Sequence, residues 1–134
     1  MKRIRWSVAG LVIAGCLVSG CAASTSDIQP LAADALSAAR SAELGIHLDE
    51  AGRTFATTAR VVLDDMAAQL SDVITQLEQT QTADAAAERA RTDALDASRD
   101  AVDAIHTAQQ GDAAAAEHAL AAAIAVLDEV AGER

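Results

Sequence analysis

Residues 83–108 read ADAAAERARTDALDASRDAVDAIHTA. Ala83, Ala87, Ala90, Ala94, Ala97, Ala101, Ala104 and Ala108 follow one another at alternating spacings of four and three. That is the period of a single helix face, the a/d seam of a packed helix. The stretch holds ten alanines and eight fall in this register, where random placement would put about three. Alanine favours helix at any position, so propensity accounts for the number of alanines but not for their register. The reading is a helix over 84–109 that packs through alanine and lets a neighbouring backbone come close. Leu95, Val102 and Ile105 flank the seam and can meet a second neighbour. Asp84, Glu88, Asp93, Asp96, Asp100 and Asp103, interleaved with Arg89, Arg91 and Arg99, form a solvated face.

The same periodicity extends in both directions. Over 54–80, Ala56, Ala59, Leu63, Met66, Leu70, Val73 and Leu77 form a second seam. Over 112–130, Ala113, Ala116, Leu120, Ala123, Leu127 and Val130 form another, with Ile124 beside it. Gly111 ends the helix before it and Asp112 has the chemistry of an N-cap. Upstream, Pro30 suits a first helical turn, and a shorter helix over 30–44 is expected to stop at Gly45. Gly45 and Gly52 then bracket a turn or weakened stretch. Short connections make sequential helices antiparallel. The expected fold is therefore all-α: an antiparallel helical bundle of three to four helices with alanine-rich seams. Its core looks thin. The apolar run of Leu63, Met66, Leu70, Val73, Ile74 and Leu77 exceeds what an alanine face can cover, which predicts self-association or a protein partner on that helix.

Composition narrows the function classes. The chain has 134 residues, the size of one domain, with 10 Lys+Arg against 20 Asp+Glu and a formal charge of −10. That balance opposes nucleic-acid binding, which needs cationic patches to meet phosphates. One Trp, one Phe and no Tyr leave little from which to build a sheet core or an aromatic ligand pocket.

The first thirty residues carry an address. Lys2, Arg3 and Arg5 precede an uncharged apolar run over 6–17, shorter than a membrane span requires. Val18-Ser19-Gly20-Cys21 follows: aliphatic, small, small, cysteine. Together these resemble the leader and lipobox of a bacterial lipoprotein precursor. Ile13-Ala14-Gly15-Cys16 also fits the box, but cutting there would shorten the apolar run and leave Leu17 and Val18 exposed. The resemblance implies removal of a signal peptide over 1–20, a thioether-linked diacylglycerol on Cys21, and anchorage on the extracytoplasmic face of the cell membrane. In a bacterium with two membranes the outer one fits too, because Ala22 stands where an aspartate is associated with inner-membrane retention. A flexible tether over 21–29 would then lead into a bundle domain over 30–134. Lys2, the only lysine, lies in the leader, so lysine-mediated linkage to the cell wall is not expected. From Cys21 onward the chain keeps 7 Arg and all 20 acids, and an anionic leaflet would repel it.

Catalytic signals are weak. There is no nucleophile elbow, no phosphate-binding glycine loop and no HExxH, so neither enzymatic activity nor a cofactor is expected. His106 and His118 flank Gly111 across a tight turn, and Asp103 lies three residues before His106. This gives a weak candidate for a divalent cation, since a di-iron bundle would need a second such motif. The expectation is a lipid-anchored binding or scaffolding module of the bacterial cell envelope. The alternative is a cation-binding or sensing module using the acidic helix faces and His106/His118.

Overall fold

A computed structural model describes residues 21–132. The leader over 1–20 lies outside the described residues. Four helices follow in order: α1 (Thr25–Glu50), α2 (Ala56–Gln79), α3 (Ala85–Gln109) and α4 (Ala113–Ala131). No strand occurs among the described residues, only a single parallel bridge between Ala23 and Thr82. None of these helices is long and apolar enough to cross a membrane.

Each start and stop has a local cause. Asp84 and Asp112 cap α3 and α4 by accepting from the backbone N–H of Ala87 at 2.8 Å and of Ala115 at 3.1 Å. At the start of α1, the Asp27 carboxylate accepts from both the N–H and the hydroxyl of Ser24, each at 2.7 Å. Gly52 and Gly111, at φ +63° and +97°, turn the chain after α1 and α3 in a region that residues with a Cβ avoid.

The helices form an antiparallel up-down-up-down bundle whose cross-section is a flattened rhombus. α1 packs on α2, α4 and α3, whereas no Cα atoms of α2 and α4 lie within 8 Å of each other. The short diagonal joins the two helices whose inner faces are richest in alanine. Ala32, Ala35, Ala38, Ala39 and Ala42 of α1 are buried, as are Ala87, Ala94, Ala97, Ala101 and Ala104 of α3. The small side chains at these positions let the two helices meet across the middle, alongside buried Ile28, Leu36 and Ile46 of α1 and Leu95 and Ile105 of α3. The wider corners are filled by Leu63, Leu70, Val73 and Leu77 from α2 and by Leu120 and Leu127 from α4.

Three expectations change here. First, the helix predicted over 30–44 runs from Thr25 to Glu50 and is the longest of the four, at 26 residues. Pro30 lies in its second turn, and Gly45 is buried inside it rather than ending it. A neighbour holds the chain helical there: a Cβ on Gly45 would lie 3.4 Å from Val62 and 3.9 Å from Leu63. Second, the tether predicted over 21–29 shrinks, because Thr25 onward is helix and Ile28 is fully buried. Third, the apolar run of α2 is covered. Leu63, Leu70, Val73 and Leu77 are buried, while Met66 and Ile74 pack half-buried against the same core. The cover comes from α3 and from α1, which continues past Gly45 to Glu50.

The alanine seam holds along the middle of α3 and fades at its ends. Ala87, Ala94, Ala97, Ala101 and Ala104 are buried, Ala90 and Ala108 are half-buried, and Ala83 lies before the helix and is exposed. Leu95 and Ile105 are buried beside them, as expected of the flanking positions. Ser98 is the one buried polar residue named among the core positions, and its hydroxyl donates to the Ala94 carbonyl at 2.7 Å.

Candidate functional site

The two ends of the bundle differ in chemistry. One carries Cys21, the start of α1 and the α2–α3 connection. The Ala23 N–H donates to the Gln81 carbonyl at 2.7 Å, and the Ala83 N–H donates to the Ala23 carbonyl at 2.9 Å. This pair of bonds clamps the chain two residues after Cys21. Cys21 itself is exposed and lines a shallow depression with Ala23, Gln79, Thr80 and Gln81.

Side chains around this clamp are tied down. Arg91 forks onto the Glu88 carboxylate at 2.6 and 3.0 Å, and it also donates to the Leu77 carbonyl at 3.2 Å. The Thr82 hydroxyl donates to Glu88 at 2.8 Å. These partners, Arg91 first, pull the Glu88 carboxyl down to about 2. Bonds from the Ser24 hydroxyl and N–H likewise hold the Asp27 carboxyl below its ordinary range. Glu78 pairs with Arg99 at 2.7 Å.

The opposite end opens into a groove between α1 and α4, with a volume of about 640 Å3. Arg40, Glu43, Leu44 and His47 line it from α1, and Ala114, Glu117, His118 and Ala121 from α4. Beside it, the negative charge of Glu117 raises the affinity of the Glu50 carboxyl for its proton. Lower along the same helix pair, Arg40 bridges to Asp128 at 2.9 Å. Exposed Leu44, Ala114 and Ala121 stand in the groove beside side chains of both charges.

The histidines named from sequence separate. His118 lines the groove opposite His47, whereas His106, in the last turn of α3, and Asp103 are both exposed and take no part in it. Among the described residues, no three His, Cys, Asp or Glu side chains gather where a metal ion could be held. His47 was missed as a groove residue because it belongs to α1 only if that helix continues past Gly45. Had 45–50 been read as helix, His47, Glu43 and Arg40 would have shared one face at helical spacing.

Exposed apolar side chains cluster near the same end. Phe55 is 81% exposed, Val61 59% and Leu44 57%. A crevice between α1 and α2, lined by Leu44, Gly45, Leu48, Ala59 and Val62 among others, lies between Leu44 and the start of α2. Compared with family models, with curated proteins and with solved structures, the chain matches none.

Proposed function

We propose that this protein is a lipid-anchored, extracytoplasmic helical module of the bacterial cell envelope that works by binding or scaffolding, without catalysis. The observation that carries the reading is Cys21. It stands fourth in Val18-Ser19-Gly20-Cys21, behind a basic and then apolar leader, and its thiol is exposed rather than packed into the bundle. Two or more acyl chains there would hold the protein stably, where one would hold it only marginally. The binding half of the reading draws on the α1/α4 groove, whose exposed apolar and charged side chains suit a polypeptide segment.

Substitution of the cysteines tests the anchor. Cys21→Ser is expected to abolish incorporation of labelled fatty acid and to leave an uncut precursor or a released protein. Cys16→Ser is expected to change neither. Fatty acid retained on the Cys21→Ser protein would refute the assignment.

A further inference from the structure

We propose that the end of the bundle formed by Cys21, Ala23 and the 79–83 connection is a contact surface for the lipid bilayer, so that the protein stands on the membrane with its α1/α4 groove turned away. This rests on lipidation of Cys21 as proposed above.

The length of the leash is the first argument. Only two residue steps separate Cys21 from Ala23, which is fixed to Gln81 and Ala83 through its own backbone. Fully extended, that leash reaches at most about 7 Å. Acyl chains on Cys21 must enter the hydrocarbon, so Cys21 sits among the headgroups and the clamp cannot be far from them. A tether of eight residues would have left the bundle free to tumble. A leash of two does not.

Charge is the second argument. The chain from Cys21 carries 20 acids and 7 arginines, so most of its surface is repelled by anionic lipid. The 79–83 connection is the exception. Residues 79–83 are Gln, Thr, Gln, Thr and Ala, with no charge among them. Of the acids nearest to it, Glu78 and Glu88 are charge-paired with Arg99 and Arg91, and Asp128 near the end of α4 with Arg40, while Asp27 and Asp84 keep their charge in the helix caps. What the 79–83 connection offers is neutral hydrogen-bonding groups that match a headgroup layer. Lying sideways would instead press faces such as Asp93, Asp96 and Asp100 of α3 onto the leaflet. His47 lies 22 residues after Thr25 along α1, so an upright bundle holds the groove roughly 33 Å farther out.

The test uses the full-length lipidated protein in phosphatidylcholine–phosphatidylglycerol vesicles doped with a headgroup-nitroxide lipid. Cys21 is the only cysteine after the leader and is blocked by its lipid, so a cysteine introduced by Gln81→Cys or Gln110→Cys takes a single fluorophore. The Gln81→Cys fluorophore is expected to be quenched severalfold more than the one at Gln110→Cys. A Gly/Ser run inserted between Ala22 and Ala23 should erase the difference while the protein still floats with the vesicles. Equal quenching at both positions with the native leash would overturn the upright orientation and leave the anchor standing. Mass spectrometry showing unmodified Cys21, with no protein on the vesicles, would overturn both.

Discussion

The two ends of this bundle are built from the same few residue types and behave differently. At the Cys21 end, backbone bonds from Ala23, the Arg91–Glu88 fork and the Asp27 cap lock the chain, and Ile28 is buried beneath them. At the groove end, Phe55, Val61 and Leu44 stand in solvent and Glu50 faces the like charge of Glu117. The difference lies in how charge is spent. One end ties its acids to arginine, hydroxyl and backbone donors, while at the other Asp112 and Asp64 find donors but Glu50 and Glu117 repel each other. An end so fixed suits attachment, and one with open apolar and charged groups suits recognition.

The largest expected effect follows directly. Ile28→Ala empties a fully buried site and is expected to cost about 2–5 kcal/mol of stability. Phe55→Ala, at the other end, removes a ring that is 81% exposed and should change stability by less than about 0.5 kcal/mol. Urea denaturation of the two variants measures both. Comparable losses would mean that Phe55 is packed and that the contrast between the ends is false.

The alanine diagonal links the two ends, and it should resist enlargement along its length. Ala101 is fully buried where α3 faces its neighbours, so Ala101→Leu is expected to cost about 1–3 kcal/mol through overpacking. Ala86→Leu, on the exposed side of the same helix, should cost less than about 0.5 kcal/mol. Equal denaturation midpoints would show that α3 does not pack through its small face.

Periodicity made most of this fold legible. The seams of α2, α3 and α4 were readable because one face repeats for about five turns or more, and their ends were readable from Asp84, Gly111 and Asp112. α1 was misjudged for a physical reason. Pro30 and Gly45 are local signals, and tertiary contact overrode both: Ile28 is buried two residues before the proline, and Val62 and Leu63 pack beside Gly45. The groove was lost with the second half of that helix. His118 could be named from sequence, but its neighbour across the groove is His47 rather than His106. The clamp at Ala23 gave no sequence signal, since backbone groups of small residues form it.

Gly45 offers a way to tighten the looser end. It lies inside α1 with ordinary helical geometry, and an added Cβ would touch Val62 at 3.4 Å, a normal contact. Gly45→Ala lowers the entropy of the unfolded chain and is expected to stabilise the protein by about 0.4–1 kcal/mol. A higher melting temperature is the expected readout. A lower one would mean that α1 and α2 are too close there for a methyl group, and that the crevice beside Leu44 is tighter than its lining suggests.

The smallest effect separates the ends most cleanly, because acid should move them in opposite directions. Glu88 is held at about 2 in the folded protein against an ordinary 4.5, and Asp27 is also lowered. Their contribution is complete above the ordinary carboxylate range and is lost as the pH falls through it towards the folded values. Glu50 is raised, chiefly by the charge of Glu117, then by desolvation, and against the pull of His47, so the folded state binds its proton more readily than the unfolded state does. Acidification through that raised value relieves the repulsion and favours folding locally. All three carboxyls are exposed, so the changes are small and salt weakens them. Amide exchange resolved by peptide, and corrected for the intrinsic pH dependence, is the suitable measurement. On lowering the pH from neutral, peptides covering 46–58 and 111–119 should first gain protection. Those covering 21–30 and 80–91 should lose it only at lower pH. Glu117→Gln is expected to remove the first response and leave the second intact. Loss of protection at both ends together would show that the bundle titrates as one body, and that the contrast between its ends has no energetic consequence.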